Sequence, residues 1–199
     1  GDSGAVAGGI VGRNADIYQP AYHAYHDPQI YDWLEALNAT GDNSFRTYDS
    51  LFSPAIVPVE AEIPVPVSRL MDGYGMALLC NQQNTLGLAL YYGFRGGHSH
   101  YDTLNFDLYA NGCKMMPDLG YPDFMNAFVS GIFSWSKNTI SHNCVMIDRQ
   151  RQTGNGPGSV ELFMSSGGVH AVDVSASSAY PGCREYRRGL ILIETGSDT

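Results

Sequence analysis

The chain has 199 residues, 44% of them hydrophobic and 12% aromatic, enough to bury a core and to exclude intrinsic disorder. No apolar run approaches the ~18 residues a membrane span needs. Twenty acidic residues against eleven basic give a net charge of -9, which argues against a nucleic-acid partner but leaves room for an anionic saccharide in one locally positive groove.

Positive charge is carried almost wholly by arginine, since Lys114 and Lys137 are the only lysines. Four cysteines (Cys80, Cys113, Cys144, Cys183) lie far apart with no CxxC pair, which argues against a cysteine zinc site and leaves their pairing open. The opening at Gly1 lacks an initiator Met, and the apolar run Gly189–Thr195 is followed at once by the end of the chain. Both read as cuts in a longer protein whose targeting signal lies elsewhere.

Two textures follow along the chain. Residues 1–52 contain an aromatic stretch (Tyr18, Tyr22, His23, Tyr25, His26) that is either a short helix or a packed loop. A helix is predicted over 28–38: Asp27 is an N-cap, Pro28 occupies the first helical position, and Ile30, Trp33, Leu34 and Leu37 follow at helical spacing. Pro54, Pro58, Pro64 and Pro66 make 53–67 an extended connection. From 53 to 199 the chain reads as one domain of β texture.

Apolar runs at 75–80 and 86–92 flank Asn81–Asn84 as a hairpin. Residues 103–110 alternate, with Leu104, Phe106, Leu108 and Ala110 on one face and Thr103, Asn105, Asp107 and Tyr109 on the other. Asn111-Gly112 predicts a type I′ turn, and 113–116 returns. Further strands are predicted at 143–148, 160–164, 169–175 and 187–194. Together these make an antiparallel β-sandwich.

The chemistry-bearing residues are histidines. Gly96-Gly97-His98-Ser99-His100-Tyr101-Asp102 precedes the alternating strand, the hairpin return reaches Asp118, and Ser141-His142-Asn143 opens a later segment. Imidazoles and a carboxylate suit Zn²⁺. Register raises a conflict: a two-residue turn at 111–112 sets Asp118 opposite Asn105, whereas a regular strand back to residue 98 sets the histidines on the other face. Either the HSHYD segment is a turn, which the Gly pair favours, or Pro117 marks a bulge.

Three ordered blocks carry a family resemblance: GGHSHYDTLNFDLYANG (96–112), PDLGYP (117–122) and SHNCVMID (141–148). Over about 93–150 the chain resembles the heparinase II/III-like polysaccharide lyases, most of all their metal-bearing β domain. That resemblance implies an α/α toroid preceding the β-sandwich, with residues 1–52 as the toroid's tail. His98 would match a histidine that lines the saccharide cleft and assists catalysis. His100, Asp118 and His142 would match three ligands of a mostly structural zinc, and Asp102 a carboxylate that orients an imidazole. The implied reaction is β-elimination on a uronic-acid polysaccharide, a glycosaminoglycan or an alginate, outside the cytoplasm in the periplasm or medium. The principal catalytic groups would lie upstream of Gly1, leaving this piece alone inactive.

From the residues themselves, Arg95 could pair with a substrate carboxylate, and Tyr121 and Trp135 could stack on sugar rings. The arginines of 148–152 could also meet an anionic chain. His23, His26 and His170 have no partner visible in sequence. Two alternatives stand beside the lyase. One is a non-catalytic carbohydrate-binding sandwich with structural zinc. The other is a cupin-like metalloenzyme holding iron or manganese through both His98 and His100.

Overall fold

The computed structural model describes residues 15–46, 48–59, 67–96, 99–118 and 130–195. These fall into two compact units, one within 15–59 and one within 67–195.

The first unit is helical. Helix α1 (Ala15–Tyr25) settles the aromatic stretch as a helix, and it stops where His26 turns left-handed at φ 51°. Asp27 then caps α2 (Pro28–Ala36), its carboxylate accepting the Gln29 amide at 2.8 Å, with Pro28 in the first turn as the sequence dictates. Asn38, at φ 53°, ends that helix, and the Ala39 amide returns to Leu34 O. Tyr22, Leu34, Ala39 and Ile56 form the unit's core. Tyr22 donates its hydroxyl to Val57 O, and Gln19 donates to Ser44 O, so the segment after α2 is tied back onto α1.

The second unit is a pair of antiparallel meanders. One sheet runs β1 (Arg69–Met71), β2 (Met76–Cys80), β3 (Leu86–Tyr91), β4 (Phe106–Ala110) and β5 (Cys113–Met116). The other runs β6 (Ser159–Ser166), β7 (Val169–Ser175) and β8 (Arg187–Ile193). Strand β2 faces β7 across a core of Ala77, Leu79, Leu90, Leu104, Val172, Val174 and Leu192, closed by Tyr92, Tyr180 and Tyr186. His170, buried on β7, pins the two sheets. Its Nδ1 meets the Ser68 and Ser165 hydroxyls, each at 2.9 Å, and its Nε2 meets Glu194 at 2.8 Å. The partners that sequence left unseen for this histidine are therefore tertiary.

Asn111 and Gly112 both have positive φ (49° and 80°), as a type I′ turn demands, and Ala110 pairs with Cys113. The register then slips. Tyr109 faces Lys114 but Leu108 faces Met116, so Met115 is an extra residue in β5. The bulge thus falls within the strand, before Pro117.

Two strand assignments need correction. Pairing in β4 begins only at Phe106, because Thr103 and Leu104 form a turn in which Leu104 takes φ 67°. Residues 143–148 form no strand, only an isolated bridge between Ile147 and Gln150. Their backbone groups are claimed by side chains: the Asn143 amide by Asn105 Oδ1, Asn143 O by Arg188, and Val145 O by the Tyr180 and Tyr186 hydroxyls. Left-handed Asp148 and Arg149 then turn the chain away.

The loop that follows lies against 178–179, with the amides of Thr153 and Gly154 both donating to Ala179 O. A Cβ on Gly154 would stand 1.5 Å from Ser178 O. Gly154→Ala is therefore expected to displace this loop and cost about 3 kcal/mol. Denaturant unfolding checks it, with Gly73→Ala, at a turn site with open space around the missing Cβ, as the neutral comparison.

Candidate metal centre

Three separate segments deliver the site. The first, 99–105, is a turn whose backbone is satisfied almost entirely from outside itself. The Tyr101 amide donates to Lys137 O and the Leu104 amide to Tyr91 O. Tyr101 O accepts from the Thr139 hydroxyl at 2.7 Å. At Thr103 the side chain of Gln152 stands in for a strand neighbour: its Oε1 accepts the Thr103 amide and its Nε2 donates to Thr103 O, both at 2.9 Å. Gln152 is fully buried and also donates to the Tyr186 hydroxyl. Arg188 reaches Leu104 O. These bonds answer the register conflict by making the HSHYD end a turn.

The second segment follows the bulge in β5. The Asn105 carboxamide donates to Asp118 Oδ2 at 2.6 Å, and the Asp118 amide donates to Asp107 at 2.9 Å. The third is the single 3-10 turn Thr139–Ser141, capped by Asn138, which ends on His142. The Asn143 carboxamide holds it to Phe106 O and Met116 O.

His100, Asp118 and His142 converge there. One ligand atom from each lies within 4.8 Å of the others, and both imidazoles are buried. The two rings stand 5.1 Å apart, and His142 Nδ1 meets Asp118 Oδ2 at 2.7 Å. Burial disfavours the charged His142 imidazole. The hydrogen bond to Asp118, with the charges of Asp118 and Asp102, more than offsets it and holds the imidazole's pKa above the usual value.

Asp102 faces the same cluster. Burial raises its pKa against the pull of His142, with Asp118 adding to the rise, and its Oδ1 is buried with no hydrogen-bond partner. It acts on His142 through charge rather than through a hydrogen bond.

This donor set fits a divalent cation. With Nδ1 turned to Asp118, His142 Nε2 is buried with no hydrogen-bond partner, and two carboxylates close by favour positive charge. Cys144 is not one of the converging residues: its thiol lies against Thr103 O, and burial, then Asp102, pushes its pKa to about 12. All four cysteines are free.

His98 and Tyr121 lie outside the described residues. Trp135, on helix α3 (Ser130–Ser136), is 49% exposed, so it is not core. Arg95 sets its guanidinium over the Tyr101 ring and donates to Thr153 O. Sequence reasoning missed Gln152, which reads there as part of a charged turn, and the orienting roles of Asn105 and Asn143. Their roles depend on partners tens of residues away, and no local pattern carries them.

Residues 88–195, just over half the chain, match the family described as heparinase II/III-like, C-terminal; the chain belongs to that family. Among curated relatives it is 32% identical over 111 residues to an alginate lyase of Stenotrophomonas maltophilia, covering 48% of this chain and 15% of the relative. It is 24% identical over 145 residues to an exo-oligoalginate lyase of Saccharophagus degradans, covering 66% of this chain and 18% of the relative. Among solved structures, a heparinase III with methylated lysines superposes with a TM-score of 0.64 at 15% identity, over 92% of this chain and 26% of that one. A heparan sulfate lyase mutant from Pedobacter heparinus gives 0.60 at 14% identity, over 90% and 26%. The chain thus spans about a quarter or less of each relative, and at these identities the two structures establish the fold.

Replacing Gln152 with Ala is expected to strand the Thr103 amide in the interior, leave Thr103 O only the weak Cys144 thiol, and cost about 3 kcal/mol. Denaturant unfolding measures it. An unchanged midpoint would show that water or another side chain holds the turn.

Proposed function

We propose that the protein containing this chain is a polysaccharide lyase that cleaves a uronic-acid polymer by β-elimination. Alginate is the favoured substrate, because both curated relatives are named for it. The observation that carries the reading is the convergence of His100, Asp118 and His142 into one buried cluster in a chain of this family.

In the reaction, the C–H bond alpha to the uronate carboxylate breaks and its electrons form a carbon–carbon double bond. The glycosidic C–O bond then breaks and the leaving oxygen takes up a proton. That α-proton is a poor acid while the carboxylate keeps its charge, so the enzyme must neutralise the carboxylate, supply a base and supply an acid. His98 is the cleft histidine of this reading. The base and the main acid belong to a preceding helical domain, to which residues 1–52 contribute the tail.

His100, Asp118 and His142 hold zinc, with Asp102 behind them. When bound, the metal supplies a fixed positive charge that cross-links three segments, a structural more than a Lewis-acid role. Asn105, Asn143 and Gln152 aim the ligands before any metal arrives. Exposed Trp135 offers a face on which a sugar ring can stack, and Tyr121 is assigned the same role from its residue type alone. Large uronate polymers lie outside the cytoplasm, which sets the protein in the periplasm or the medium. No helix among the described residues is long and apolar enough to cross a membrane.

The full-length protein is expected to generate the ultraviolet absorbance of an unsaturated uronate from alginate and not from heparan sulfate. No rise on either, from folded and metal-replete protein, would reject the lyase reading in favour of a sandwich that binds sugar without cutting it. Metal analysis is expected to find zinc. His142→Ala should remove it and lower stability by about 3 kcal/mol, since a buried imidazole and its bond to the Asp118 carboxylate are both lost. Unchanged zinc content and melting would reject the site, and iron or manganese in its place would favour the cupin-like alternative.

A further inference from the structure

A second feature stands on the other side of the His100–Asp102 turn. Tyr101, between those two inward residues, carries two guanidinium groups over its ring, those of Arg95 and Arg151, each with Cζ 4.2 Å from the centroid. Stacking of a guanidinium on an aromatic face is favourable, but two like charges on one ring repel each other.

Protein carboxylates normally resolve such a pair, and this chain has nearly twice as many acids as bases. Yet among the described residues no carboxylate forms an ion pair with either arginine, while Arg95 feels the charge of Asp102 from a distance. Arg95 is anchored, its Nη2 donating to Thr153 O at 2.9 Å and its amide to Asn155 O, while its Nη1 is buried with no hydrogen-bond partner. Arg151 is exposed. The residue after it is Gln152, whose grip on Thr103 also fixes where Tyr101 stands. The backbone clamp that orients the metal centre therefore orients the arginine pair as well.

We propose that Arg151, backed by Tyr101 and Arg95, is a binding site for a uronate carboxylate of the polymer. Arg151 makes the contact, Tyr101 sets the plane of its guanidinium, and Arg95 adds charge from a fixed position. A planar, two-oxygen carboxylate matches the guanidinium fork, and a second cation behind it strengthens the attraction. This assignment rests on the reading of the chain as part of a uronate lyase, and it adds a specificity determinant outside the metal cluster.

The test uses the full-length protein and a uronate disaccharide, its carboxyl-reduced counterpart, and a sulfated disaccharide as binding probes. Ultraviolet absorbance recorded in the same cell reports any cleavage. Arg151→Ala is expected to weaken binding of the uronate disaccharide about tenfold and to leave the reduced one unchanged. Equal uronate affinity in parent and variant overturns the site. So does an equal loss on both ligands, a loss confined to the sulfated probe, or a parent that binds no uronate. Arg151-dependent binding without unsaturated product would keep this site and reject the lyase reading. Product formation indifferent to Arg151, in binding as in KM, would do the reverse.

Discussion

The turn at 99–105 depends on the carboxamide of Gln152. A strand running from β4 back toward residue 98 would have exchanged hydrogen bonds with a neighbour and alternated its side chains between faces. Gln152 instead takes both backbone groups of Thr103, in the manner of a one-residue strand partner, and releases the preceding segment from the sheet. Leu104 then adopts a left-handed backbone yet keeps its side chain in the core, while His100 joins the buried cluster. An amide fully buried inside a sandwich is costly unless every polar atom is matched, and here both ends of the side chain are.

Electrostatics gives the cluster its sense. Asp102 and Asp118 are two carboxylates in poorly solvated surroundings, and burial alone pushes the Asp102 pKa upward. The His142 imidazole is drawn toward its charged form by the same pair. Such an arrangement is under-compensated by the protein's own cations, and it is rigid: Asn105 and Asn143 fix Asp118 and the chain beside His142 through amide bonds that do not titrate. Among the described residues His142 is the cation that meets these carboxylates directly, while Arg188 spends its guanidinium on Leu104 O and Asn143 O and Arg95 and Arg151 stack on Tyr101.

Much of the fold was legible in the sequence because period-two alternation and turn chemistry are local. Asn111-Gly112, the hairpin around 81–84 and strands β6 to β8 all follow from them. Residues 143–148 were misread because Val145, Met146 and Ile147 look like strand, and nothing local shows that Asn105, Arg188 and two tyrosine hydroxyls already occupy the backbone. The three candidate ligands could be picked out through their motifs. The residues that aim them could not, since Gln152 sits among arginines in what reads as a solvent turn. Hydrophobic pattern reports burial of apolar groups and is silent on a buried amide.

Met115 has a further consequence. It is the unpaired residue of β5, so the distance along the chain from Gly112 to Asp118 includes one step that the sheet does not count. The site is thereby written partly as arithmetic. Lengthening the 82–84 turn would leave the cluster alone, and losing Met115 would only close the bulge with Met116 still opposite Leu108, whereas losing a second residue between 112 and 118 would draw the carboxylate away from the Asn105 amide with every motif letter still in place.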